Sequence, residues 1–100
     1  MLARIHIIID SENNDDYLTV KEELNKLYPH FSISPARPYH GKANSSEFFV
    51  TANMTQEEAD LLIPKLNNDF DGEDYDLEAY GFNTKMFHSL VYYINFILML

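Results

Sequence analysis

Apolar positions change their spacing several times along this chain, and each change marks an element. Ile5, Ile7, Ile8 and Ile9 make a short β-branched run with His6 inside it, closed by Asp10. A run this short reads as a buried central strand over residues 4–9. Tyr17, Val20, Leu24, Leu27 and Tyr28 then recur at helical spacing, with Lys21, Glu22, Glu23 and Lys26 between them. Asn14 is the expected cap of that helix. Asp15 and Asp16 suit its positive end, and Pro29 closes it by disfavouring helical geometry at Tyr28.

Phe31-Ser32-Ile33-Ser34 alternates as a half-buried strand does, and Pro35 and Pro38 restrict its pairing. Glu47–Ala52 is a second extended run, so the two predict a hairpin with a long loop. Thr55-Gln56-Glu57-Glu58 is a capping box, followed by the apolar stripe Ala59, Leu62, Ile63, Leu66 and Phe70. Pro64 lies inside this helix, where it removes a hydrogen bond and predicts a kink or change of register. Tyr75, Leu77 and Ala79 alternate with Asp76, Glu78 and Tyr80, a fourth strand ending near Gly81.

The order β-α-β-β-α-β predicts an α+β fold, the ferredoxin-like split βαβ arrangement, with an antiparallel sheet and two helices on one face. Residues 1–82 form that single domain, and 83–100 are an apolar C-terminal extension. As a helix capped by Asn83, the extension aligns Phe87, Leu90, Val91, Ile94, Ile97 and Leu98. As a strand, Tyr92, Ile94, Phe96, Leu98 and Leu100 share a face. Helix is the favoured reading. Such a segment must close over the sheet or bury itself in a partner, so a homodimer is expected.

Composition narrows the class. One hundred residues, 46% hydrophobic and without cysteine, suit one small folded domain and exclude both a disulfide framework and a Cys-based zinc site. The segment before Asp10 is shorter than a signal-peptide core and lacks a small-residue cleavage site. Met86–Leu100 is too short to span a bilayer as a helix. A cytoplasmic location, without membrane attachment, is the expectation.

Charge changes the picture more. The net charge is −9. Residues 57–78 hold Glu57, Glu58, Asp60, Asp69, Asp71, Glu73, Asp74, Asp76 and Glu78 against Lys65 alone, nine acids less one base, or −8. An acidic balance argues against direct binding of nucleic acid, whose phosphates need cations. It suits a surface that docks on a basic partner, with Asp69, Asp71, Glu73, Asp74, Asp76 and Glu78 as the candidate partner-binding residues. Counted from Asn67, the same stretch resembles a calcium loop, with Asp69, Asp71, Gly72 and Glu78 at its third, fifth, sixth and twelfth positions. Asn at the first position, Asp74 at the eighth and a strand-like exit oppose that reading, and no metal or other cofactor is expected. A solvated acidic loop is the plainer alternative.

Bases cluster more weakly. Arg37, His40 and Lys42 share the long hairpin loop and are a candidate anion site. The four histidines are scattered, and no nucleophile elbow, phosphate loop, dinucleotide fingerprint or paired-histidine metal motif occurs. The residues therefore point to a non-enzymatic interaction module, an inhibitor or regulator that binds the basic surface of a nucleic-acid-binding protein. The alternative is a dimeric regulatory domain sensing a small molecule or ion.

Overall fold

The computed structural model describes residues 1–99 and is an α+β domain of two helices and a seven-stranded antiparallel sheet. The elements run β1 (Leu2–Ile9), α1 (Asn14–Leu27), β2 (Ser32–Ile33), β3 (Arg37–Pro38), β4 (Ser46–Asn53), α2 (Gln56–Leu66), β5 (Asp71–Glu73), β6 (Asp76–Tyr80) and β7 (Val91–Met99). The sheet order is β2-β4-β1-β7-β6-β5, with β3 also paired to β4.

Residues 91–99 are a strand, not a helix, and β7 lies between β1 and β6 instead of covering the sheet. Leu100, which the strand pattern would add, lies outside the described residues. The pairing of β1 with β7 carries a register shift between Ile8 and Ile9, which pair with Tyr93 and Val91 and leave Tyr92 as the extra residue. Such a bulge breaks strict alternation. Val91, Ile94, Phe96 and Leu98 are buried while Tyr92 and Tyr93 both stay accessible, and the resulting three- and four-residue spacings imitate a helix. Aromatic and β-branched content favours the extended form.

The predicted fourth strand is real but shorter and displaced. β6 pairs with β7 on one side and with β5 on the other, so β5 and β6 form a hairpin at the sheet edge. Tyr75, expected in the strand, sits in the turn. Asp74 and Tyr75 both have positive φ, 55° and 59°, as a two-residue hairpin turn of matching twist requires. Gly72, φ 132°, lies so close to the Asp76 carbonyl that any side chain there would collide with backbone.

Both helices pack into one apolar cluster. Ala3, Ile5, Ile7 and Ile9 of β1, Phe48 and Val50 of β4, and Ile94 and Phe96 of β7 meet Tyr17, Val20 and Leu24 of α1 and Ala59, Leu62 and Leu66 of α2. The cap of α1 is Asn13, one residue before the predicted Asn14, and its side chain accepts from Asp15 N at 2.7 Å. The capping box of α2 is formed in both directions. Pro64 stands in the last turn, and α2 ends at Leu66 short of Phe70. Because helices cover one face only, the other face of the sheet is open.

Candidate interaction surface

Cross-strand register lays the open face out in rows. One row runs Arg37, Glu47, Ile8, Tyr93, Tyr80, and the next Phe49, His6, Asn95, Glu78, Asp71. A third runs Ser32, Thr51, Arg4, Ile97, Asp76, Glu73. Bases therefore occupy the β3–β4–β1 side and acids the β6–β5 side.

On the basic side Arg37 and Lys42 are each paired with a carboxylate, while Arg4 meets only an aromatic ring. Glu47 takes His6 Nε2 at 2.8 Å and Arg37 Nε at 3.3 Å on its two oxygens. The His6 ring stacks on Phe49 with centroids 4.6 Å apart, and the Arg4 and Arg37 guanidinium carbons lie 5.4 and 5.5 Å from the same Phe49 ring. Phe49 is thus a platform already occupied by cations. Lys42 Nζ donates to Asp10 Oδ1 at 2.6 Å and sits 4.9 Å from the Tyr92 ring centre. Of the candidate anion-binding residues, Arg37 and Lys42 are held by different carboxylates, and His40 is exposed. Arg37 lies in β3 and only His40 and Lys42 in the loop that follows, and Arg37 and Lys42 both spend their charge within the protein.

The acidic side is organised differently. Asp71 faces Glu78 and Glu73 faces Asp76 directly across the hairpin, pairs of like charge that oppose folding. Asp69, Asp71, Glu73, Asp74, Asp76 and Glu78 are all exposed. Their side-chain contacts are with neutral groups: Tyr93 Oη donates to Glu78 Oε2 at 2.9 Å, and Asn95 Nδ2 to Asp76 Oδ1 at 3.2 Å. Burial chiefly, and the Glu78 carboxylate next, push the Tyr93 phenol far above its ordinary range. The hairpin is anchored to α2 through Tyr75, whose hydroxyl donates to Asp60 Oδ1 at 2.6 Å and accepts from Gln56 Nε2 at 3.0 Å. Leu98 N also donates to the Tyr75 carbonyl at 2.9 Å. These bonds offset the cost of a bulky residue in the left-handed region.

Asn67, first position of the calcium-like pattern, is turned inward. It is buried, and its amide donates to Thr84 Oγ1 at 2.8 Å and the Lys85 carbonyl at 3.1 Å. Its oxygen accepts from Asp69 N. This side chain fastens the 83–90 loop to the end of α2. Among the described residues no group of three His, Asp or Glu side chains is placed to hold a metal ion.

Tyr39, Lys42, Tyr80, Tyr92 and Tyr93 wall a cleft of about 450 Å³, with His6 and Ile8 beneath. The Tyr80 ring stands 4.9 Å from Tyr93 and 6.0 Å from Tyr92, and exposed Phe82 extends the cluster at 5.3 Å. The consecutive tyrosines 92 and 93 were the available signal, but only the bulge brings both to one face. His88 acts locally, its Nδ1 accepting from Leu90 N at 3.1 Å. No helix among the described residues is long and apolar enough to cross a membrane. No protein family, curated protein or solved structure matches this chain.

Proposed function

We propose that this chain is a non-catalytic interaction module that docks its acidic β5–β6 edge on the basic surface of a protein partner. The reading includes a ferredoxin-like core. β1, α1, β2, β4, α2 and β7 follow the split βαβ order, with strands arranged β2-β4-β1-β7. The acidic hairpin then falls in an insertion before the last core strand. Ile94, Phe96 and Leu98 are buried within the chain itself, so this reading does not call on them to form a homodimer.

The supporting observation is the contrast in charge compensation. Ion pairs among the described residues involve His6, Lys26, Arg37 and Lys42, and none uses a hairpin carboxylate. Like charges held face to face lower stability, so a surface that keeps them invites an external cation. A basic surface that binds nucleic acid offers that cation in the required density. The test compares the full chain with the variant D71N/E73Q/D74N/D76N as immobilised bait. A nucleic-acid-binding protein captured at low salt, released by added nucleic acid and not captured by the variant supports the reading. Capture that the variant retains contradicts it.

A further inference from the structure

The tyrosine cleft beside the hairpin has a size ordinary for ligand sites, which run about 300–1,000 Å³. Its chemistry decides the sign of what it takes. Phenol ring faces attract cations, and one face is already in that use, with Lys42 Nζ 4.9 Å from the Tyr92 centroid. Behind the lining stand three carboxylates against two fixed cations: Asp10 paired with Lys42, Glu47 shared by His6 and Arg37, and Glu78, which meets only the Tyr93 hydroxyl. Lys42 is the one lysine or arginine among the lining residues. With the chain at −9 overall, an anion would enter against the local and the global field, and a cation with both.

We propose that this cleft receives an organic cation, the arginine side chain of a protein partner. The assignment deepens the docking reading and rests on it for the source of the arginine. A guanidinium is planar and weakly hydrated, stacks on phenol faces, and carries five donors for hydroxyl and carboxylate oxygens. Acidic residues on the adjacent edge would hold the flanking basic residues. Lys42 is then a tethered cation that occupies the Tyr92 face when the cleft is empty. Its removal helps an incoming cation, whereas an anion site would lose its one ammonium.

The full chain is titrated with N-acetyl-arginine amide, choline and inorganic phosphate, with NMR shifts followed at Gly41, Tyr92 and Tyr93. The arginine amide saturates these shifts with a Kd on the order of millimolar, as a small cation–π site gives. Choline binds more weakly and phosphate does not bind. Lys42→Met, which leaves the core untouched, tightens arginine binding about three- to fivefold, and Tyr92→Leu weakens it by at least about as much. The variant D71N/E73Q/D74N/D76N, whose changed residues do not line the cleft, keeps the arginine affinity to within about twofold at about 0.15 M salt, where distant exposed charges are screened. That result separates failure of the cleft from failure of the hairpin. Absence of saturable shifts, or Lys42→Met leaving affinity unchanged or lowered, overturns the proposal. Choline binding as tightly as the arginine amide assigns the cleft to a free small ammonium instead. Phosphate binding that disappears in Lys42→Met assigns it to an anion.

Discussion

The two faces of the sheet use the same strands and solve different problems. On the helix-covered face, Ile5, Ile7, Phe48, Val50, Ile94 and Phe96 are fully buried, and packing alone accounts for the choice of residue. On the open face, strand neighbours are chosen by charge and ring chemistry, and the choice differs from one edge to the other. Near β4, Glu47 gathers His6 and Arg37, so the guanidinium and the carboxylate offset each other. Near β5, Asp71 faces Glu78 and Glu73 faces Asp76, so nothing cancels. One face stabilises the fold, while the open face gives up some stability along one edge. The proposed docking draws on that edge.

Substitutions can break this contrast at graded cost. Phe96→Ala on the covered face should lose about 3–5 kcal/mol in chemical denaturation, through lost burial and the cavity left behind. A loss below about 1 kcal/mol would mean that the core is not centred on β7. Glu47→Gln should cost about 1–2 kcal/mol, chiefly through the half-buried His6 bond, since the Arg37 contact is mostly exposed. Asp71→Asn with Glu73→Gln should act in the opposite direction. The gain is expected near the low end of about 0.2–1 kcal/mol per pair at low ionic strength, and high salt should erase it. A loss of stability at low salt would show that the like-charge pairs are relieved by a contact within the chain.

The pH response from Tyr93 is confined to alkaline solution. Tyr93, raised by burial and then by Glu78, stays protonated in the folded state when it would ionise in the unfolded one. Its contribution is fully present below the ordinary tyrosine pKa of about 10 and is lost as pH climbs through the folded value. Stability should therefore fall with rising pH above about 10, and Tyr93→Phe should flatten that fall. In ultraviolet titration of the phenols, the last-ionising tyrosine of the wild type should be missing from this variant.

Where local chemistry set the outcome, the residues could be read directly. The strand around Ile5–Ile9, both helices, the Thr55–Glu58 capping box and the outward placement of Asp76, Glu78 and Tyr80 needed no tertiary information. β7 could not be read so, because a single extra residue at Tyr92 replaces alternation with spacings a helix also satisfies. The β5–β6 hairpin was hidden for a related reason. Asp74-Tyr75 is not an ordinary pair for a turn with two positive φ angles, and Tyr75 holds that conformation through Asp60 and Gln56 on α2. Of the candidate residues, the acids are legible as a charge run in the sequence, and their exposure follows from that. The pairing of Arg37 with Glu47 and Lys42 with Asp10 depends on strands distant in sequence. The tyrosine cleft depends on the same long-range register.

The most direct measurement is NMR mapping of an arginine-rich peptide on the full chain at low salt. Shifts concentrated at Asp71–Glu78 and at Gly41, Tyr92 and Tyr93, and lost at high salt, are the expected result. Shifts on the outer helix surfaces around Leu18 and Leu61, or no saturable shifts, would contradict docking through the open face.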